Sequence, residues 1–192
     1  MIQDKSMTYV FQYGSNMCIT RLNKADRLAG DAKFFCIAKT VDLFEFAFTV
    51  WSETNDCAAA DIITSNVGQH IYGVLYEVPD FLISRASAKA NNRKSMDAIE
   101  GEGTNYIRKI IELEKLDGSR INALTYVVKE RRRDIKTSMH YVQHILDGLK
   151  ENNIPEEYRR YVVAQIIANN RDLAQMLEVV HLDESHQTLS NQ

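Results

Sequence analysis

The sequence predicts an α+β fold, and three observations carry that prediction. Runs rich in β-branched and aromatic residues, separated by turn clusters, fill the chain as far as Val128. Beyond Lys129 the apolar spacing changes to a period of about 3.6. Six or so strands therefore come first and helices mostly follow, the order of an α+β domain rather than of an alternating α/β one.

The elements can be justified in chain order. Met1 to Ser6 is polar and expected to fray, with folded structure beginning at Met7. Thr8 to Tyr13 (TYVFQY) reads as a strand that ends at the turn cluster Gly14-Ser15-Asn16. Met17 to Gly30 carries scattered apolar positions and reads as a short helix or irregular segment. Phe34 to Ile37 and Leu43 to Val50 are aromatic-heavy strands. Ala58 to Thr64 and His70 to Val78 are two more, expected to form a hairpin through Asn66-Val67-Gly68. Pro79-Asp80 opens a helical stretch that runs to Ile99 and turns polar from Lys89 to Ser95, and Gly101 and Gly103 break it. Tyr106 to Leu116 and Ile121 to Val128 flank Asp117-Gly118, a second hairpin signal. Met139, Val142, Ile145, Leu146 and Leu149 then mark one helix. Pro155-Glu156-Glu157 opens another, with carboxylates at the positive end of its dipole. Asp183 to Gln192 is polar and expected to be disordered.

Composition limits the function classes. The chain has 192 residues, 45% hydrophobic and 26% charged, which suits one globular domain. With 23 basic and 26 acidic residues the formal charge is −3, so bulk charge recruits neither nucleic acid nor a membrane. The run Lys129 to Asp134 is basic but interrupted by acids and reads as a solvated face. No apolar run approaches the roughly 20 residues of a membrane span. Cys18, Cys36 and Cys57 are odd in number and widely spaced, which fits a reducing cytosol better than a disulfide framework. His140 and His144 stand four apart with only Asp147 close by, a poor metal set. No serine, cysteine or lysine has a neighbouring base that marks it as a nucleophile.

Two motifs carry chemistry. Tyr13-Gly14-Ser15-Asn16-Met17 places small residues directly after a strand, where backbone N–H groups can converge on a carboxylate or an oxyanion. Asp97-Ala98-Ile99-Glu100-Gly101 sets a carboxylate where a helix meets a glycine. In a partly apolar cavity the Glu100 pKa would rise and the group could exchange protons near neutral pH. Glu102 is its local rival.

With Ile71 to Tyr76 (IYGVLY) between them, Tyr106-x-Arg108 behind them, and Ser138, Tyr141, Ile145, Gly148, Glu151, Asn152, Pro155 and Tyr158 at their spacing, the motifs resemble the γ-glutamylcyclotransferase family. The resemblance covers Tyr9 to Tyr158. It implies a small mixed β-barrel with flanking helices over residues 7–158, a helical C-terminal extension over 159–182, and a pocket at one barrel end. It also implies cyclisation of a γ-glutamyl amide to 5-oxoproline with release of an amine. Glu100 matches the catalytic glutamate. Val10, Phe11, Gln12, Tyr13, Gly14, Ser15 and Asn16 match the substrate-holding strand and loop, and Tyr106, Val128 and Tyr141 match further substrate positions. No cofactor and no metal is implied, since the substrate's own α-amine is the nucleophile. The YGSN form of the loop points away from intact glutathione. The expected partner is a small γ-glutamyl compound, either an amino acid or an amine conjugate, and the oligomeric state is left open, a homodimer included. A γ-glutamyl-protected metabolite, or a non-catalytic binding protein on the same fold, are the competing readings. The segment from Pro79 to Ile99 is longer than the family pattern, and its polar half is expected to overhang the pocket.

Overall fold

The computed structural model describes residues 6–177; the N-terminal residues 1–5 and the tail expected to be disordered lie outside the described residues. Seven strands and five α-helices follow in order: β1 (Met7–Gln12), α1 (Ile19–Leu22), β2 (Lys33–Thr40), β3 (Phe44–Ser52), β4 (Cys57–Thr64), β5 (Tyr72–Pro79), α2 (Arg85–Ala90), α3 (Met96–Glu100), β6 (Tyr106–Lys115), β7 (Arg120–Val128), α4 (Met139–Glu151) and α5 (Glu156–Asn169).

Five strands close into a barrel in the order β1-β5-β2-β6-β7. Four of its seams are antiparallel, and β1 meets β7 in parallel at Val10 and Leu124. The barrel is thus small and mixed, as the sequence resemblance implied. Successive strand residues point to opposite faces, so the continuous buried runs Val10-Phe11 and Val74-Leu75-Tyr76 show that β1 and β5 are covered on the outside of the barrel as well as within it. The Asp117-Gly118 turn joins β6 to β7 as a hairpin, with Gly118 at φ 78° and the Lys115 carbonyl accepting its N–H.

The second expected hairpin does not form. β4 pairs with β3, from Phe44 opposite Thr64 to Ser52 opposite Cys57, while β5 lies between β1 and β2 in the barrel. The turn of the β3–β4 hairpin is residues 52–56, where Asp56 adopts φ 49°. Gly68 serves a different purpose from the one its turn-like neighbours suggest. The chain crosses Phe44 there, and a Cβ on Gly68 would lie 2.3 Å from the Phe44 carbonyl oxygen. The N–H groups of Phe44 and Gln69 donate to each other's carbonyls at 2.9 Å on that crossing.

The helical stretch after Pro79 is likewise divided. A 3-10 turn (Asp80–Leu82) precedes α2 and α3, and each helix starts at a serine cap: Ser84 accepts from the Ser87 N–H and Ser95 from the Ala98 N–H. Asn92, at φ 52°, separates the two helices.

The two C-terminal helices pack on one side. α4 buries Tyr141, Val142, Ile145, Gly148 and Leu149, a single stripe. α5 lies against β3, where the Tyr161 hydroxyl accepts from the Phe46 N–H at 3.0 Å. None of the described helices is long and apolar enough to cross a membrane.

Candidate active site at the barrel end

The turn after β1 is clamped before it is chemical. Met17 N–H donates to the Gly14 carbonyl at 3.0 Å, closing a 3-10 turn over Ser15–Met17. The Met17 carbonyl in turn accepts from the Tyr76 hydroxyl at 2.6 Å and from the Asn152 amide at 3.1 Å. α4 can press onto this turn because it presents Gly148: a Cβ there would lie 2.7 Å from the Met17 Cβ and 3.0 Å from the Cys18 nitrogen. As first residues of a 3-10 turn, Ser15 and Asn16 have N–H groups with no acceptor inside the turn.

Glu100 arrives from the other side. α3 ends on it, with Gly101 as a left-handed cap at φ 67°. The short helix is anchored by Asp97, which is buried. Arg108 grips the Asp97 carboxylate with two hydrogen bonds, Nε at 2.8 Å and Nη2 at 2.5 Å, and the Tyr126 hydroxyl donates to it at 2.9 Å. The acidic and basic ends of the motif pair are therefore a positioning device, with the arginine fixing the turn that carries Glu100.

Turn and glutamate meet. Asn16 Nδ2 donates to Glu100 Oε1 at 2.9 Å, and Gln12 hydrogen-bonds the same carboxylate. Arg27 Nη1 donates to Asn16 Oδ1 at 2.6 Å, completing a chain from guanidinium to amide to carboxylate. Burial pushes the Glu100 carboxyl above its ordinary range, and the Asn16 bond and the Arg27 charge recover only part of that rise.

Two connected spaces are shaped by these residues. An inner chamber of about 30 Å³ is lined by Gln12, Tyr13, Gly14, Ser15, Asn16, Ala60, Glu100, Tyr106, Thr125, Tyr126 and Tyr141. An outer vestibule of about 180 Å³ shares Ser15, Asn16, Glu100, Tyr106 and Tyr141 and adds Arg21, Arg27 and the β3–β4 turn at Ser52–Asn55. Three tyrosines stiffen the inner wall. Tyr13 donates to the Tyr126 carbonyl and Tyr106 to the Ala60 carbonyl, both at 2.7 Å, while Tyr141 accepts from the Ala60 N–H at 3.1 Å. Burial raises all three phenol pKa values, so each stays neutral at neutral pH. The alanines of β4 leave room for this crowding, since a Cβ on Gly14 would sit 3.3 Å from the Ala60 Cβ.

The structure gathers Gln12, Tyr13, Gly14, Ser15, Asn16, Glu100, Tyr106 and Tyr141 around one cavity. Val10, Phe11 and Val128 are buried nearby but line neither space. Val128 acts through its backbone: its N–H donates to Asp61, a fully buried carboxylate that also holds Thr49 and Arg131. Arg131 thereby takes one member of the basic run out of the solvated face. Glu102 pairs with Arg85 at 3.3 Å and does not line the cavity. The expected overhang by Lys89 to Ser95 is also corrected. None of those residues lines either space; Arg93 is tied instead to Asp31 at 2.6 Å and to the Leu28 carbonyl. Arg21, Arg27 and Asn55 were not singled out in the sequence. The arginines sit in a stretch without clear periodicity, and Asn55 sits in a turn without a glycine.

A closed five-stranded barrel with flanking helices, and a carboxylate beside a small-residue turn at one end, define a γ-glutamylcyclotransferase-like fold. Residues 70–162 match the model of the AIG2-like family. Solved structures agree on the fold. A γ-glutamyl cyclotransferase aligns with a TM-score of 0.68 at 24% identity, over 83% of this chain and 88% of its own. An uncharacterized protein from Homo sapiens aligns at 0.67 and 25% identity, over 82% and 87%. YkqA from Bacillus subtilis aligns at 0.65 and 25% identity, over 85% of this chain and 55% of its own. No curated protein matches the chain at a significant level of sequence similarity.

Proposed function

We propose that the protein is a γ-glutamyl cyclotransferase of the cytosol, converting a γ-glutamyl amino acid or γ-glutamylamine to 5-oxoproline and a free amine. One observation carries this reading: the buried Glu100 carboxylate, with its raised pKa, is held by Asn16 and lines one cavity together with the Gly14–Asn16 turn. The substrate α-ammonium must lose a proton before it can attack, and Glu100 is the base within the cavity. The freed amine attacks the γ-carbonyl carbon and forms the new C–N bond of the five-membered ring. The tetrahedral oxyanion collapses and the original amide C–N bond breaks as Glu100 gives its proton to the departing nitrogen. Glu100 then takes the second proton from the ring nitrogen and passes it to the released amine, which leaves as an ammonium beside the neutral lactam. The amides of residues 14–16 supply hydrogen bonds to the α-carboxylate or to the oxyanion. Walls fixed by buried tyrosines hold the flexible glutamyl chain in a folded conformer, which lowers the entropic part of the barrier.

The test is 5-oxoproline release from a panel of γ-glutamyl compounds, with Glu100→Gln beside the wild type. Loss of general acid–base catalysis lowers turnover by about 10²-fold or more. A Glu100→Gln enzyme at the wild-type rate, or a wild type that releases no 5-oxoproline from any of them, overturns the proposal.

A further inference from the structure

Asp61 is completely buried on β4, yet it lines neither of the two spaces. Its Oδ1 accepts from the Val128 N–H at 3.1 Å, and its Oδ2 accepts from the Thr49 hydroxyl at 2.9 Å and from Arg131 Nε at 2.7 Å. A buried ion pair seldom adds net stability, because desolvation of the two charges offsets their attraction; what it can do is fix which residues lie together. Here it joins two parts of the chain that share no strand ladder, since β4 belongs to the two-stranded β3–β4 sheet and Val128 ends β7 of the barrel. A ring of contacts runs on from that bond. Val128 pairs across the ladder with Tyr106, the Tyr106 hydroxyl donates to the Ala60 carbonyl at 2.7 Å, and Ala60 precedes Asp61 in the chain. The Ala60 N–H is held as well, donating to the Tyr141 hydroxyl at 3.1 Å. Ala60 lines the inner chamber and packs against Gly14, where a Cβ would lie 3.3 Å from its own.

We propose that Asp61, balanced by Arg131, is a positioning residue for the reaction: it sets where β4 lies along β7 and so holds the Ala60 wall against the Gly14–Asn16 turn. The inference rests on the cyclotransferase reading and adds to it a side chain that touches no substrate. Successive strand residues alternate in face, so a β4 shifted by one position turns Ala60 away from the chamber. A smaller displacement moves the Ala60 peptide and, with it, the Tyr106 and Tyr141 hydroxyls bonded to it. That wall helps to fold the glutamyl chain for ring closure, so its displacement acts on turnover. Charge enters as well as shape. Asp61 is close enough to Tyr13 and Tyr106 to help keep both phenols protonated, and Arg131 partly offsets its effect on Tyr13. Other bonds hold the outer parts of the hairpin. The Arg132 N–H donates to the Thr49 carbonyl at 2.7 Å, the Ala58 N–H to the Lys136 carbonyl at 2.9 Å, and the Phe46 N–H to the Tyr161 hydroxyl at 3.0 Å. When Asp61 changes, the hairpin therefore keeps its fold and loses its setting.

The experiment compares Asp61→Asn, Arg131→Gln and Arg131→Lys with the wild type. Release of 5-oxoproline from the best compound of the panel is followed at a temperature where circular dichroism shows every variant folded. A role in stability alone lowers the melting temperature and leaves kcat of the folded protein as it was. Positioning instead lowers kcat by about tenfold or more in Asp61→Asn and Arg131→Gln. Arg131→Lys, which keeps the charge, is expected to recover part of that loss. Folded Asp61→Asn and Arg131→Gln enzymes at the wild-type rate overturn the proposal. Amide hydrogen exchange reads the displacement without turnover. In Asp61→Asn the Ala60 N–H, whose acceptor Tyr141 is unchanged, should exchange faster, while the Phe46 N–H keeps its protection. An Ala60 amide as protected as in the wild type overturns the proposal, whatever the activity. The Arg131 side chain is 43% exposed, so Arg131→Gln is the milder change and carries both readouts if Asp61→Asn does not fold. A wild type that releases no 5-oxoproline rejects the cyclotransferase reading, and the exchange result then decides the placement of β4 by itself.

Discussion

Replacing Asp97 by Asn tests whether the Arg108 clamp holds the turn that carries Glu100. The substitution keeps the shape of the side chain and removes its charge. Asp97 is 6% exposed at its side chain and accepts two bonds from Arg108 and one from Tyr126, whereas the Arg108 side chain is 39% exposed. Breaking a fully buried pair costs about 3–5 kcal/mol. Water can reach the freed guanidinium here, which reduces the cost to about 2–3 kcal/mol. At about 2–4 °C per kcal/mol for a chain of this size, the melting temperature falls by roughly 5–10 °C. Urea unfolding should show a lower midpoint at an unchanged m-value, and 5-oxoproline release should fall with it because Glu100 lies one helical turn further on. The double variant Asp97→Asn/Arg108→Gln should cost clearly less than the sum of the single ones. A melting temperature within 2 °C or so of wild type would refute the clamp, as would strict additivity.

The remaining predictions concern the cavity itself. Because folding raises the Glu100 pKa, the folded protein holds its charged form at a cost above that pKa, and the cost vanishes once both folded and unfolded states are protonated. Glu100→Gln should therefore melt higher than wild type at pH 7, with the gain fading towards about pH 4; a lower melting temperature at pH 7 contradicts the assignment. The same shift places the acid limb of the kcat profile above the ordinary glutamate range, and a profile flat down to that range counts against Glu100 as the base. Gly148→Ala forces α4 off the Met17 turn, and overpacking of about 1–3 kcal/mol exceeds the helix-propensity gain of about 1 kcal/mol. Raised KM with a slightly lower melting temperature is expected, and an unchanged KM argues against the clamp. Tyr141→Phe leaves the buried Ala60 N–H without its acceptor, for a loss of about 1–3 kcal/mol by chemical denaturation.

Local chemistry was legible in the sequence and long-range pairing was not. TYVFQY and the strands around Asp117-Gly118 announce themselves through alternation and turn residues, which act over a few positions. The partner of Ala58 to Thr64 is decided elsewhere, by a turn at residues 52–56 that contains no glycine and by a crossing at Phe44 that needs one at position 68. Nothing local marks Val10 and Leu124 as the parallel seam that closes the barrel. The site divides in the same way. Glu100 and the Tyr13 to Asn16 turn were found because the motifs carry them. Asp97 and Arg108 were quoted within those motifs, but their salt bridge spans two elements and became visible only once α3 lay against β6 and β7. Arg21 and Arg27 belong to a segment whose conformation is set by its neighbours rather than by its own pattern.

The β3–β4 hairpin contributes one wall of the vestibule while standing outside the barrel's hydrogen-bonded ring. The contour of the vestibule and the closure of the barrel are therefore held by separable parts of the chain. Insertions, deletions or charge changes at residues 52–55 can recontour the entrance without breaking any rung of the barrel.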